Sequence, residues 1–193
     1  MAFSYFLSVL WLILFYGWGL SEIYIAVRTR TRHSSGNVRD RGTLRLLWIV
    51  IATSVAGCIW VGKTHPHNIS GGEPWLNVGS IFVLICGLAL RWAAIISLGK
   101  SFSSNVAIHS TQTVLKTGLY RWMRHPSYTG LLVVFVAIGL HTCNWVSLAI
   151  VFLPTTGVLL YRIHVEEIAL REHFGREYIE YCENTSRLVP GVY

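Results

Sequence analysis

The sequence predicts an all-α integral membrane protein of about five transmembrane helices, with a C-terminal helical hairpin and a cytoplasmic amphipathic helix. Three observations predict it. Only 13% of the residues are charged and 53% are hydrophobic, whereas soluble domains carry about 25% charged residues; so little charge cannot cover a water-facing surface. The apolar residues are gathered into runs long enough to cross a ~30 Å hydrocarbon core. The clustered basic residues fall in loops on one side of those runs, which orients them by the positive-inside rule.

The elements follow in order. The run Phe3 to Val27 makes a first helix, and without a basic leader it reads as a retained span, not a cleaved signal. Glu22, near its end, belongs either at the interface or with a partner inside the bundle. The next segment carries Arg28, Arg30, Arg32, Arg39, Arg41 and Arg45 against the single Asp40, which makes it cytoplasmic. A second helix covers about Leu46 to Val61. The loop Gly62 to Pro74 has little net charge and faces outside. Its His65 and His67 form an HxH pair, but two ligands do not make a metal site, and no metal is expected. A third helix covers about Trp75 to Leu98. Inside it Arg91 is either a snorkelling anchor or a positive charge lining a headgroup or cofactor pocket. Ser97 to Tyr120 is a polar cytoplasmic loop.

Thr129 to Ile163 is apolar except for His141-Thr142-Cys143-Asn144. As helix it would measure roughly 50 Å, too long for one crossing and right for a tight hairpin that turns near His141. Pro154 is a candidate kink in the returning arm. In the charged last stretch, Val165 to Tyr193, the residues Leu170, Phe174, Tyr178 and Tyr181 share one helical face, as in a helix lying on the membrane. Five crossings place the N-terminus outside and the C-terminus inside.

The net charge of +7 raises nucleic acid as a partner, but the basic residues flank apolar runs. Topology and anionic membrane lipid explain them better, so no nucleic acid is expected. The four cysteines (Cys58, Cys86, Cys143 and Cys182) form no CxxC pair and predict neither a disulfide framework nor a zinc site.

The hairpin brings Arg162, Glu166 and Glu167 back to the cytoplasmic face near Arg124, His125 and Tyr128. Arg162 and Glu166, four apart, share a helix face. The product is a polar pocket at the membrane surface, or else a plain juxtamembrane salt-bridge patch. As a pocket it has suitable parts. Pro126 suits the first turn of a helix, whose free N–H groups bind carboxylates. Glu166 suits an ammonium or a ribose hydroxyl. Tyr120 and Tyr128 suit a purine or a sulfonium, and Arg162 an anionic group held by two hydrogen bonds. S-Adenosylmethionine presents a carboxylate, an ammonium, a sulfonium and an adenosine.

The block Gly118 to Gly130 (GLYRWMRHPSYTG) resembles the signature of the isoprenylcysteine carboxyl methyltransferases and their bacterial and archaeal relatives. So do the later blocks Glu166-Glu167-Ile168-Ala169-Leu170, Phe174-Gly175-Arg176-Glu177-Tyr178 and Arg187-Leu188-Val189-Pro190, in the same order and at similar spacing. The segment containing Leu90-Arg91-Trp92 and Leu98-Gly99-Lys100 is similar too. The resemblance covers roughly Leu90 to Pro190; the N-terminal half matches only as apolar helices. It implies one membrane domain, residues 1–98 supplying three transmembrane helices and residues 99–193 the catalytic core. It implies that Tyr120, His125, Pro126, Ser127, Tyr128 and Glu166 bind S-adenosylmethionine, with Gln112, Thr113, Val114 and Leu115 along the same cofactor. It implies that Arg162 holds the carboxylate of a lipophilic or lipidated acceptor, with Arg91 a second substrate contact.

The implied reaction is in-line methyl transfer to a carboxylate oxygen. A carboxylate is ionised at pH 7, so no general base is required and positioning in a dry pocket suffices. If the acceptor were a lipid amine, such as a phosphatidylethanolamine headgroup, a base would be needed, and Glu167 or His125 would supply it. A third reading, a non-catalytic membrane protein that keeps the pocket as structure, is disfavoured because both Glu166 and His125 are present. The final residues, Pro190-Gly191-Val192-Tyr193, are no CaaX motif, so the chain is not expected to be its own substrate.

Overall fold

Apolar helices set the frame of the computed structural model, which describes residues 2–29, 37–38, 42–65, 69, 73–103, 107–108 and 113–192. The helices are α1 (Ala2–Arg28), α2 (Thr43–Thr64), α3 (Glu73–Leu98), α4 (Pro126–His141), α5 (Trp145–Phe174) and α6 (Arg176–Glu183). Four of them, α1, α2, α3 and α5, are long and apolar enough to cross a membrane. The fifth apolar helix, α4, has 16 residues. A two-residue antiparallel pair, β1 (Asn37–Val38) with β2 (Ala107–Ile108), joins the two basic loops.

The core lies between α3, α4 and α5, where Leu84, Leu131, Val134, Phe135, Val151 and Leu159 are fully buried. The most extensive helix contact is that of α3 with α4. A Cβ on Gly130 would sit 2.6 Å from the Arg91 nitrogen and 2.8 Å from the Gly87 oxygen. Two glycines facing each other let the backbones touch, the usual way of packing helices in lipid. By contrast α1 leans on the bundle with one face. Its outer face exposes Phe3, Phe6, Ile13, Tyr16, Leu20 and Tyr24, as suits a helix surrounded by lipid.

The hairpin turns where the polar break in the sequence predicts. The Asn144 side chain caps α5, accepting from Val146 N at 2.9 Å and Ser147 N at 3.1 Å. Its amide also donates to the His65 carbonyl at the end of α2. So His65 contributes a backbone oxygen here, while His67 lies outside the described residues. Helix α5 runs unbroken through Pro154 and continues past the apolar stretch to Phe174. There Gly175, at φ 57°, ends it, a conformation that costs a Cβ-bearing residue more than glycine. The amphipathic helix, α6, therefore starts a new direction. The face of Leu170, Phe174, Tyr178 and Tyr181, expected against the membrane, lines an internal cavity instead. Helical periodicity identifies an apolar face without saying what covers it.

Candidate functional site

The Arg124-His125-Pro126 turn is fixed from three sides. On one side the tail folds back along it: Arg124 N donates to Ser186 O at 2.9 Å and His125 N to Arg187 O at 3.1 Å. Thr129 Oγ1 reaches Leu188 O at 2.8 Å. From α5 the Glu167 carboxylate receives Arg124 Nε at 3.0 Å and Arg187 Nη2 at 3.1 Å, with His125 Nε2 3.4 Å away. From within, Pro126 occupies the first position of α4, where its missing N–H costs nothing. The tail residues Arg187 to Pro190 are thus a strap over the turn, which accounts for their recurrence with it in the sequence signature.

The turn forms one wall of a cavity whose free space, counted out to its opening on solvent, is about 860 Å³. Thr113, Val114, Leu115, Tyr120, His125, Ser127, Tyr128 and Glu166 all line it, as the sequence predicts. Gln112 lies outside the described residues. Pro126 and Glu167 stand behind the wall and do not line the cavity. The sequence reading missed Leu98, Ser101, Phe102 and Ser103 as lining, because they continue a helix end into what reads as an ordinary polar loop. It also missed Phe174, Tyr178 and Tyr181, whose signal was the apolar face assigned to the membrane.

Three buried tyrosines, Tyr120, Tyr178 and Tyr181, give the cavity an aromatic wall. Tyr181 Oη donates to Tyr120 O at 2.6 Å, and Tyr120 Oη to Ala94 O at 3.2 Å. Burial pushes the phenols of Tyr120 and Tyr178 well above the usual range and that of Tyr181 up to about 12, so all three keep their protons. The N–H groups of the first α4 turn are less available than the sequence suggests. Those of Tyr128 and Thr129 both go to His125 O, at 3.1 Å each, which leaves Ser127 N as the donor of that turn.

A second cavity, with about 470 Å³ of free space counted out to solvent, is walled by residues of α1 to α5. Ile25 and Ala26 of α1, Leu44, Leu47, Trp48 and Ile51 of α2, and Leu131 of α4 make it largely apolar; Glu22, Arg91 and Arg162 are its charged lining. Tyr128 lines both cavities, as do Phe102 and Ser103. The Tyr128 hydroxyl donates to Glu166 Oε2 at 2.8 Å and accepts from Arg162 Nε at 3.0 Å. Arg162, only 2% exposed, also donates from Nη1 to Thr43 Oγ1 at 2.8 Å. Arg91 is not a snorkelling anchor: it is buried, and its guanidinium is bound in bidentate fashion to Glu22. That pair also takes Glu22 away from the interface.

This arrangement lies in the part of the chain that matches known proteins. Residues 80–172 match the model of the isoprenylcysteine carboxyl methyltransferase (ICMT) family. Protein-S-isoprenylcysteine O-methyltransferase A of Arabidopsis thaliana is 35% identical over 120 residues, 61% of this chain and 61% of its own length. The Homo sapiens protein-S-isoprenylcysteine O-methyltransferase is 33% identical over 120 residues, 61% of this chain and 42% of its own. The solved eukaryotic intramembrane Ras methyltransferase ICMT superposes with a TM-score of 0.63 and 25% identity, over 75% of this chain and 52% of that one. The chain therefore spans less than two thirds of these relatives, and residues 80–172 contain most of the larger cavity's lining and fewer than half of the smaller cavity's. Residues 80–172, which build most of the larger cavity, are thus similar in sequence and in fold to the isoprenylcysteine carboxyl methyltransferases.

Proposed function

We propose that this protein is a membrane-embedded methyltransferase that uses S-adenosylmethionine and methylates the carboxylate of an isoprenylcysteine or a similar lipophilic acid. The observation that carries the reading is the meeting of two unlike cavities along Phe102, Ser103 and Tyr128. The larger is aromatic and polar, the smaller apolar and set among transmembrane helices, and Tyr128 lines both. A reaction between a water-soluble donor and a lipid acceptor needs such a junction.

The residues of the larger cavity suit the donor. Glu166 would take its ammonium or ribose, the rings of Tyr120, Tyr178 and Tyr181 its adenosine, and Ser127 N with the adjoining Arg124 its carboxylate. Bound there, S-adenosylmethionine supplies an electrophilic methyl group on its sulfonium. Arg162 holds the acceptor carboxylate at the inner end, and the Tyr128 hydroxyl ties Arg162 to Glu166 so that acceptor and donor residues keep a fixed separation. The apolar side chains of α1, α2 and α4 exclude water and take up the lipid tail. In this reading residues 1–98 carry most of the lipid side of one membrane domain, and residues 99–193 most of the donor side. The arginine-rich segment 28–45 supports a cytoplasmic donor side through the positive-inside rule.

An amine acceptor is less well served. It would need a base, yet Glu167 is outside the cavity lining and is engaged by Arg124, Arg187 and Arg171. His125 does line the cavity, but its Nε2 is turned to Glu167 at 3.4 Å. The test uses protein purified in detergent, methyl-labelled S-adenosylmethionine, and either a farnesylated cysteine analogue or a total lipid extract. Base-labile label on the cysteine analogue is the expected result. Base-stable label confined to lipid headgroups would replace the carboxyl reading with the amine one.

A further inference from the structure

Glu22 lies in α1, outside the residues that match the family, and is 7% exposed beside an Arg91 that is 6% exposed. Arg91 donates to both of its oxygens, Nη2 at 2.6 Å. The remaining guanidinium nitrogen, Nη1, donates to the carbonyl of Ser127 at 3.1 Å. Ser127 lines the larger cavity, and the next residue, Tyr128, lines both. The Arg91 backbone is also what the first turns of α4 rest on, since a Cβ on Gly130 would be 2.6 Å from its nitrogen.

A carboxylate on a lipid-facing helix is expensive even when paired, and an apolar pair of similar volume packs at least as well. What the bidentate pair adds is orientation. Held at two nitrogens, the guanidinium plane has one setting, and its third nitrogen is aimed at the Ser127 carbonyl. We propose that Glu22 is a positioning residue for the donor cavity. Acting through Arg91, it holds the first turn of α4, and with it Ser127 and Tyr128, where the donor requires them. The proposal rests on reading the larger cavity as the donor site. It makes α1 a working part of the transfer unit as well as a membrane span.

The test measures S-adenosylmethionine binding by calorimetry on the full chain in detergent, with a thermal melt of each sample. In Glu22→Ala the donor dissociation constant rises about 10- to 100-fold, the scale on which small displacements act in such sites. The double variant Glu22→Met/Arg91→Met separates positioning from packing, and it carries the test alone if the single variant does not fold. It is expected to melt like wild type and still bind the donor weakly. A double variant with both wild-type melting and wild-type donor affinity would overturn the proposal, because the pair would then be packing only. A wild-type chain that binds no donor would instead overturn the reading of the cavity.

Discussion

The Tyr128 hydroxyl does two opposite things, donating to a carboxylate and accepting from a guanidinium. Replacing it with phenylalanine keeps the ring stacked on His125, 5.6 Å between centroids, and cuts the link between Arg162 and Glu166. Tyr128→Phe is expected to lose about 1–3 kcal/mol of stability, because a buried arginine N–H gives up a partner. Its methylation rate should fall about 10- to 100-fold, read by single-turnover labelling. Glu166→Ala should abolish donor binding; unchanged affinity by calorimetry would remove Glu166 from the site. Arg162→Ala should keep donor binding and lose turnover, and equal turnover would end its role as acceptor clamp. The phenols also predict a pH effect. Tyr181 titrates at about 12 when folded against 10.0 for an ordinary phenol. The folded state thus holds its proton while the unfolded state loses it, so this contribution is full below pH 10 and fades as the pH rises from 10 toward 12. Melting temperatures at pH 9 and pH 11 should differ in that direction, and less so in Tyr181→Phe.

Among the elements, α3 and α4 are the pair that cannot separate without moving the site. Gly130→Ala places a methyl against the backbone of Arg91 and Gly87, atoms that cannot yield as a flexible side chain can. A loss of about 1–3 kcal/mol is expected from the overpacking, together with weaker donor binding. Gly79→Ala, on the same α3 but with nothing within 4 Å, should do neither, and a thermal melt with calorimetry on both variants checks the contrast. At this scale some features were legible and some were not. The hairpin was legible because the polar residues His141 to Asn144 interrupt an apolar run too long for one span. The strap was not, because nothing in the chain from Thr185 to Pro190 signals that its backbone will pair with residues 122–125. The Glu22–Arg91 pair was legible only as alternatives for each residue, since 69 positions separate them and hydropathy cannot tell which buried charges meet. The cavity face of α6 was visible as apolar, but its partner was misassigned.

For the whole molecule, the two ends of α2 report the orientation. Thr43, at its start, binds Arg162 beside the cavities, and Lys63 lies at its far end. Lys116, which pairs with Glu177 at 2.9 Å, stays on the cavity side. An impermeant thiol reagent should therefore label Lys63→Cys from outside intact cells, and Lys116→Cys only after permeabilisation. Labelling of both from one side would contradict an odd number of crossings between them and the fold described above.

The shortness of α4 has a further consequence. Its 16 residues span roughly 24 Å, less than a ~30 Å hydrocarbon core. The turn that follows it is tied through Asn144 to the end of α2. Anchored at the far surface, this helix cannot lift Pro126 and its neighbours to the near one. On the proposed function, Pro126 and its neighbours would then lie below the headgroups, and the thickness of the surrounding bilayer would become a control on turnover. In vesicles of phosphatidylcholines with progressively longer acyl chains, methylation should slow as lipid closes over the mouth of the larger cavity. A rate indifferent to chain length would mean that the bilayer thins locally to meet the helix.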